Sequence, residues 1–175
     1  GPDGLLDLAS NDYLGLARHP TVVQAGCAAL AEWGAGSTGS RLVTGSTALH
    51  HSFEAALAAH MGFSAALTFS SGYLANLGVV TALAGAGDLV VSDAVNHASV
   101  IDACRLSRAR VAVVPHRSVS AVAQALSART ESRALVVTDA VFSVDGDLAP
   151  LAELHEVCRS YGAVLVIDEA HSLGV

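Results

Sequence analysis

Val164-Leu-Val-Ile-Asp-Glu-Ala-His171 sets four consecutive apolar residues directly before a carboxylate, a second acid and an imidazole. The apolar run predicts a fully buried strand over 164–167. In open α/β sheets, ligands bind outside the carboxyl ends of the strands, so Asp168, Glu169 and His171 would stand where a ligand is met. A strand that only ends in a solvated acidic turn would read the same way at this level.

Outward from this stretch the pattern repeats. Strand-like runs occur at 65–69, 89–92, 111–115 and 134–138, with helical stretches at about 73–84, 97–107, 118–128 and 150–161 between them. Strands alternating with helices of that length imply right-handed crossovers and a mainly parallel sheet, an α/β fold. Upstream, residues 3–18 read as an entry arm with one short strand. Pro20 suits the first position of a helix whose apolar residues Val22, Val23, Leu30 and Trp33 recur at helical spacing up to Gly34. Gly34-Ala-Gly-Ser-Thr-Gly-Ser-Arg-Leu-Val-Thr-Gly45 is a glycine- and hydroxyl-rich loop. Ser46 is expected to cap the next helix, which Gly62 stops.

The 175 residues suffice for one core of ordinary size. Hydrophobic residues make up 52%, charged residues 14%, and mean hydropathy is +0.50, as expected where parallel strands are covered on both faces. No apolar run reaches the ~20 residues of a membrane helix, and no signal peptide is visible. A net charge of −7 disfavours a nucleic-acid partner. All nine basic residues are arginine, so chemistry that needs a lysine must come from elsewhere. Cys27, Cys104 and Cys158 lie far apart without a CxxC, which argues against disulfides or zinc and suits a reducing, cytoplasmic setting.

Three segments at strand ends could carry chemistry. Ser70-Ser71-Gly72-Tyr73 opens a helix, as a simple cap or as an anion site built from free backbone N–H groups. Ser92-Asp93-Ala-Val-Asn96-His97-Ala-Ser99 brings an imidazole to the sheet edge, to cap the next helix or to stack on a flat ligand. Asp139-Ala-Val-Phe-Ser143-Val-Asp145-Gly146-Asp147 brings acids and a hydroxyl to the same edge, or closes a polar turn at Asp145-Gly146.

Other patterns fail on context. Asp-Glu-Ala-His is also a nucleotide-hydrolysis tetrapeptide, but that chemistry needs a phosphate-loop lysine. His50 and His51 point roughly 100° apart on a helix and have no further ligand at metal spacing, so no metal site is expected. Gly34-Ala-Gly36-Ser-Thr-Gly39 matches a dinucleotide fingerprint in spacing but follows a helix instead of a strand.

Six segments taken in order, Asn11-Asp-Tyr-Leu-Gly-Leu16, Gly34 to Arg41, Phe69-Ser-Ser-Gly-Tyr-Leu-Ala-Asn76, Ser92 to Ser99, Val141-Phe-Ser-Val-Asp-Gly146 and Asp168-Glu-Ala-His171, resemble the α-oxoamine synthases. These are fold-type I transferases dependent on pyridoxal 5′-phosphate. The resemblance implies that the amides of Gly72 and Tyr73 bind the cofactor phosphate and that His97 stacks on the pyridine ring. Ser143 and His171 would hydrogen-bond the ring's phenolic oxygen, and Asp168 would pair with the pyridinium nitrogen. Asn11 and Asp139 would border the amino-acid pocket next to His97. Catalytic roles would fall to His97, Asp168 and His171.

The wording is nearest to the branch that condenses L-alanine with a pimeloyl thioester, on CoA or a carrier protein, with loss of CO2 in biotin biosynthesis. A member using glycine or serine with another acyl-CoA, or a lysine-free non-catalytic partner subunit, are the alternatives. The resemblance implies a cytoplasmic homodimer with sites at the subunit interface. It also places the tethering lysine and a phosphate-binding threonine beyond Val175, and a substrate arginine before Gly1. The chain is therefore expected to be the N-terminal half of the enzyme. Residues 1–45 would be an arm and a segment of the small domain, and 46–175 the first half of the large cofactor-binding domain.

Overall fold

A computed structural model describes residues 8–175. They form two compact units, one reaching to Thr68 together with Val175, the other spanning Phe69–Gly174.

In the first unit, α1 (Pro20–Trp33) begins with proline at its N1 position, where a missing N–H costs no hydrogen bond. α2 (Ala48–Met61) is capped by Thr47, one residue later than expected from Ser46, and the Thr47 amide donates to His50 Nδ1 at 3.3 Å. Gly62 ends α2 in the left-handed conformation (φ 72°) that glycine adopts without strain. The expected strand at 65–69 has no sheet partner among the described residues. Thr68 instead gives its amide to Glu54 (2.7 Å) and its carbonyl to Arg41 (3.0 Å), so side chains take the backbone groups a strand neighbour would use. The entry arm shows no strand over 8–18, and its first residues lie outside the described ones.

The second unit holds α3 (Gly72–Leu83), β1 (Leu89–Asp93), α4 (Ala98–Ser107), β2 (Arg110–Val114), α5 (Val119–Ser127), β3 (Ala134–Asp139), α6 (Leu151–Tyr161) and β4 (Val164–Asp168). The strands are all parallel, in the order β2-β1-β3-β4. Side chains alternate across the two central strands. Leu89, Val91, Ala134 and Val136 pack with Val122, Leu126, Leu154 and Cys158 of α5 and α6. Val90, Leu135 and Val137 face Val80, Val100 and Ala103 of α3 and α4 on the other side. This two-sided cover explains why β1 and β3 read as unbroken apolar runs, each buried Val or Leu contributing roughly 1.5–3 kcal/mol over exposure.

β4 departs from the expectation of full burial. Among the described residues it pairs only with β3, and as an edge strand it leaves Val164 52% exposed. No helix among the described residues is long and apolar enough to cross a membrane.

The chain leaves β1 toward β2 on one side and β3 toward β4 on the other. The crevice at the carboxyl ends of β1 and β3 is thus the topological switch point, where such sheets take ligands.

Candidate active site

The floor of that crevice is built by Asn96, a buried amide just beyond β1. It donates to the Val137 carbonyl (2.8 Å) and to Ser92 Oγ (3.0 Å), and its Oδ1 accepts the Asp139 N–H (3.2 Å). These bonds tie the turn after β1 to the end of β3, and His97 follows as the N-cap of α4.

His97 Nδ1 accepts from the Ser99 backbone N–H (3.2 Å) and lies 2.7 Å from Ser99 Oγ. A nitrogen that receives a backbone N–H carries no proton of its own, so the Ser99 hydroxyl donates to it and the ring proton sits on Nε2. The imidazole itself is exposed.

Asp139 and Asp168 end adjacent strands as direct register partners. Asp139 is buried, and its Oδ1 has no hydrogen-bond partner. Burial first, and the neighbouring Asp168 charge second, push its carboxyl up to about 6. Asp168 is half-buried and well bonded: Oδ1 accepts the Ala170 N–H (2.9 Å) and Oδ2 accepts Asn76 Nδ2 (2.7 Å). Asn76 stands one turn into α3 and also donates to Ser99 Oγ (2.9 Å).

Ser71 caps α3 by accepting the Leu74 N–H (3.2 Å), leaving Gly72 and Tyr73 in the first turn, where N–H groups lack intrahelical partners. A Cβ at Gly72 would meet nothing within 4 Å, so the space beside this helix end is open. The Tyr73 hydroxyl donates to Asp102 of α4, which holds the phenol above its usual range and the carboxyl below its own.

Six expected site residues, Gly72, Tyr73, His97, Asp139, Asp168 and His171, line one open pocket together with Asn76, Ser99, Val141 and Ala170. Ser143 is not among the lining residues. It sits exposed in the turn after β3, a hairpin pinned by the Val141–Leu148 bridge and by Phe142 N–H to Asp147 O (3.0 Å), with Gly146 at φ 70°. Asn11 belongs to the first unit, where its Oδ1 accepts the Tyr13 hydroxyl at 3.3 Å.

Three contributors escaped sequence reasoning. Asn76 ends the segment Phe69–Asn76 one turn after Gly72, and that place is its only trace in the sequence. Ser99 likewise closes its own motif two residues after His97. His116 gave no signal: it bridges Asp93 Oδ1 (2.9 Å) and Asp147 Oδ2 (2.9 Å) and sets its ring edge-on to Phe142 with centroids 4.3 Å apart. Asp93 foremost, then Asp147, raise its pKa.

The chain is 67% identical over 171 residues to 8-amino-7-oxononanoate synthase of Mycolicibacterium gilvum, covering 98% of this chain and 45% of that protein. It spans under half the length of the curated relatives it matches. Among solved structures, serine palmitoyltransferase from S. paucimobilis superposes with TM-score 0.91 at 39% identity over 94% of this chain and 42% of that one. For 8-amino-7-oxononanoate synthase from Francisella tularensis the figures are 0.80 and 28%, over 99% and 47%. The parallel sheet flanked by helices is thus that of the fold-type I enzymes. Residues 3–175 match the aminotransferase class I and II family, and the chain belongs to it.

Proposed function

We propose that the whole protein is a pyridoxal 5′-phosphate-dependent acyltransferase that condenses L-alanine with a pimeloyl thioester, CO2 leaving, to give 8-amino-7-oxononanoate. The observation that carries this reading is the Asp168 carboxylate, fixed by the Ala170 N–H and by Asn76 on the wall of a pocket that also holds His97. The relatives named above support the choice of acyl acceptor and donor.

The residues fit the cofactor's chemistry. An open helix start at Gly72 and Tyr73 suits a phosphate, and a carboxylate suits a protonated ring nitrogen. Bound there, the cofactor supplies the electron sink for a carbanion at the amino-acid α-carbon. Asp168 holds the proton at the ring nitrogen, the protonated ring being the stronger sink. His97 covers the ring and offers Nε2–H to a substrate oxygen. Asp139 borders the amino-acid side of the pocket. Of the two residues expected at the phenolic oxygen, His171 lines the pocket and Ser143 does not.

By the same reading, residues 46–175 are the first half of the large domain, residues 1–45 an arm with part of a small one, and the protein a cytoplasmic homodimer. A second reading, glycine or serine as acceptor with another acyl-CoA, draws on the solved serine palmitoyltransferase being more similar than the solved Francisella synthase, 39% against 28% identical, while the 67% identity to the Mycolicibacterium synthase supports the first. Incubating the full-length protein with L-alanine and pimeloyl-CoA and following free CoA separates the two. CoA release with alanine is expected. Release only with serine or glycine and a different thioester overturns the first reading in favour of the second.

A further inference from the structure

Asn76 uses one amide to reach two different walls of the pocket. Its Nδ2 donates to Asp168 Oδ2 at 2.7 Å and to Ser99 Oγ at 2.9 Å, and Ser99 Oγ lies 2.7 Å from His97 Nδ1. An NH2 group has two hydrogens, and both are spent here. The Ser99 hydroxyl, accepting from Asn76, keeps its single hydrogen for His97.

We propose that Asn76 is a positioning residue that locks the Asp168 carboxylate and the His97 imidazole into one hydrogen-bonded unit, fixing the orientation of the first and, through the Ser99 hydroxyl, reinforcing the Nε2–H tautomer that the Ser99 backbone N–H sets in the second. This rests on the reading of the pocket as a pyridoxal-phosphate site, in which Asp168 and His97 address the nitrogen and the face of one ring.

Helix propensity does not explain an asparagine at this place. Mid-helix, Asn is less favourable than the alanine before it or the leucine after it. A half-buried amide between α3 and α4 that served only packing would do no better than leucine. Ser99, by contrast, is fully buried, and the partners of its hydroxyl are Asn76 Nδ2 and His97 Nδ1, both in this chain of bonds. The hydrogen-bond order is directional. Asn76 donates both ways, so it supports an anionic Asp168 at one end and an unprotonated Nδ1 at the other.

The test uses the full-length protein and the near-isosteric variants Asn76→Leu and Ser99→Ala. Cofactor affinity is read by titrating pyridoxal 5′-phosphate against ring absorbance, and turnover as separate kcat and KM values for L-alanine. Asn76→Leu is expected to weaken cofactor binding roughly tenfold, what one hydrogen bond to a charged group is worth, and to move the absorbance–pH curve. Ser99→Ala is expected to leave that curve in place and to change KM and the pH profile of kcat, because it cuts only the His97 arm. The double variant should lose less than the product of the two, the mark of a shared network.

Cofactor affinity, absorbance and kcat within twofold of the parent in Asn76→Leu overturn the lock. Should that variant fail to fold, an unshifted pH profile in Ser99→Ala overturns it instead. A parent protein with no cofactor absorbance at all would overturn the functional reading beneath it, an outcome distinct from both.

Discussion

Asp139 and Asp168 face each other as register partners at the ends of β3 and β4, yet only one of the two carboxyls is fully bonded. Asp139, buried with an unpartnered Oδ1, is pushed up to about 6, while its ordinary value is 3.8. An acid whose folded pKa is raised binds more protons folded than unfolded between those values, so stability falls as pH rises through that window. Asp139→Asn, which removes the buried charge, should therefore stabilise the apo protein above about pH 6 by up to roughly 3 kcal/mol, the gain shrinking toward pH 4. Thermal unfolding across that range checks it, and a gain independent of pH would mean that the carboxylate charge is not its source.

Asp168→Asn tests the proposed pyridinium contact. The Ala170 N–H can still bond Oδ1 of the new amide, so the loop geometry is kept, while the charge and the bond from Asn76 Nδ2 to Oδ2 are lost together. Cofactor should still bind, and kcat should fall at least about a hundredfold, in the range of a lost electrostatic partner to the reacting group. Absorbance titration and steady-state turnover measure the two effects separately. Retained turnover would remove Asp168 from the chemistry.

How much of this was legible in the sequence follows from where each signal is written. β1 and β3 are covered on both faces, so burial wrote itself into Leu89-Val-Val91 and Ala134-Leu-Val-Val137 as continuous apolar runs. Helix ends at Pro20, Gly34 and Gly62 are local chemistry and could be read locally. The run 65–69 looks like a strand in composition, but a strand exists only with a neighbour, and Arg41 and Glu54 hold its backbone instead. Thr47 and Ser46 are both competent caps, and nothing in either residue chooses between them. The acids and imidazole of the pocket were visible because their side chains act directly. Asn76 and His116 were not, because their work depends on partners 23 to 92 residues away that only the fold brings near.

The first unit is held by the Arg41 fork. Its guanidinium reaches Glu54 Oε1 (2.5 Å) and Oε2 (3.1 Å), Ser46 Oγ (3.1 Å) and the Thr68 carbonyl (3.0 Å). Arg41 first, and the Thr68 amide second, hold the Glu54 carboxyl down to about 2. A depressed acid stabilises above its unfolded pKa of 4.5, and that contribution is lost as pH falls toward 2. Arg41→Gln should lower the melting temperature at neutral pH, with the deficit closing in acid. A lysine replacement should rescue only in part, since a point charge cannot span two carboxylate oxygens and a carbonyl. Full rescue by lysine would show that charge alone, without the fork, suffices.

The hairpin carrying Ser143 depends on His116, whose ring joins Asp93 at the end of β1 to Asp147 on the hairpin, with Arg117 Nη1 donating to the same Asp147 oxygen at 3.1 Å. Because both carboxylates raise the imidazole pKa above 6.5, the ion-paired contribution is complete below that value and is lost as pH rises through the folded pKa. His116→Gln should thus be most destabilising in mild acid, approaching the parent as the parent's own ring discharges. Melting temperatures of the pair from about pH 5.5 to about pH 9 give the comparison. A constant difference at every pH would assign the effect to the edge contact with Phe142, which carries no charge.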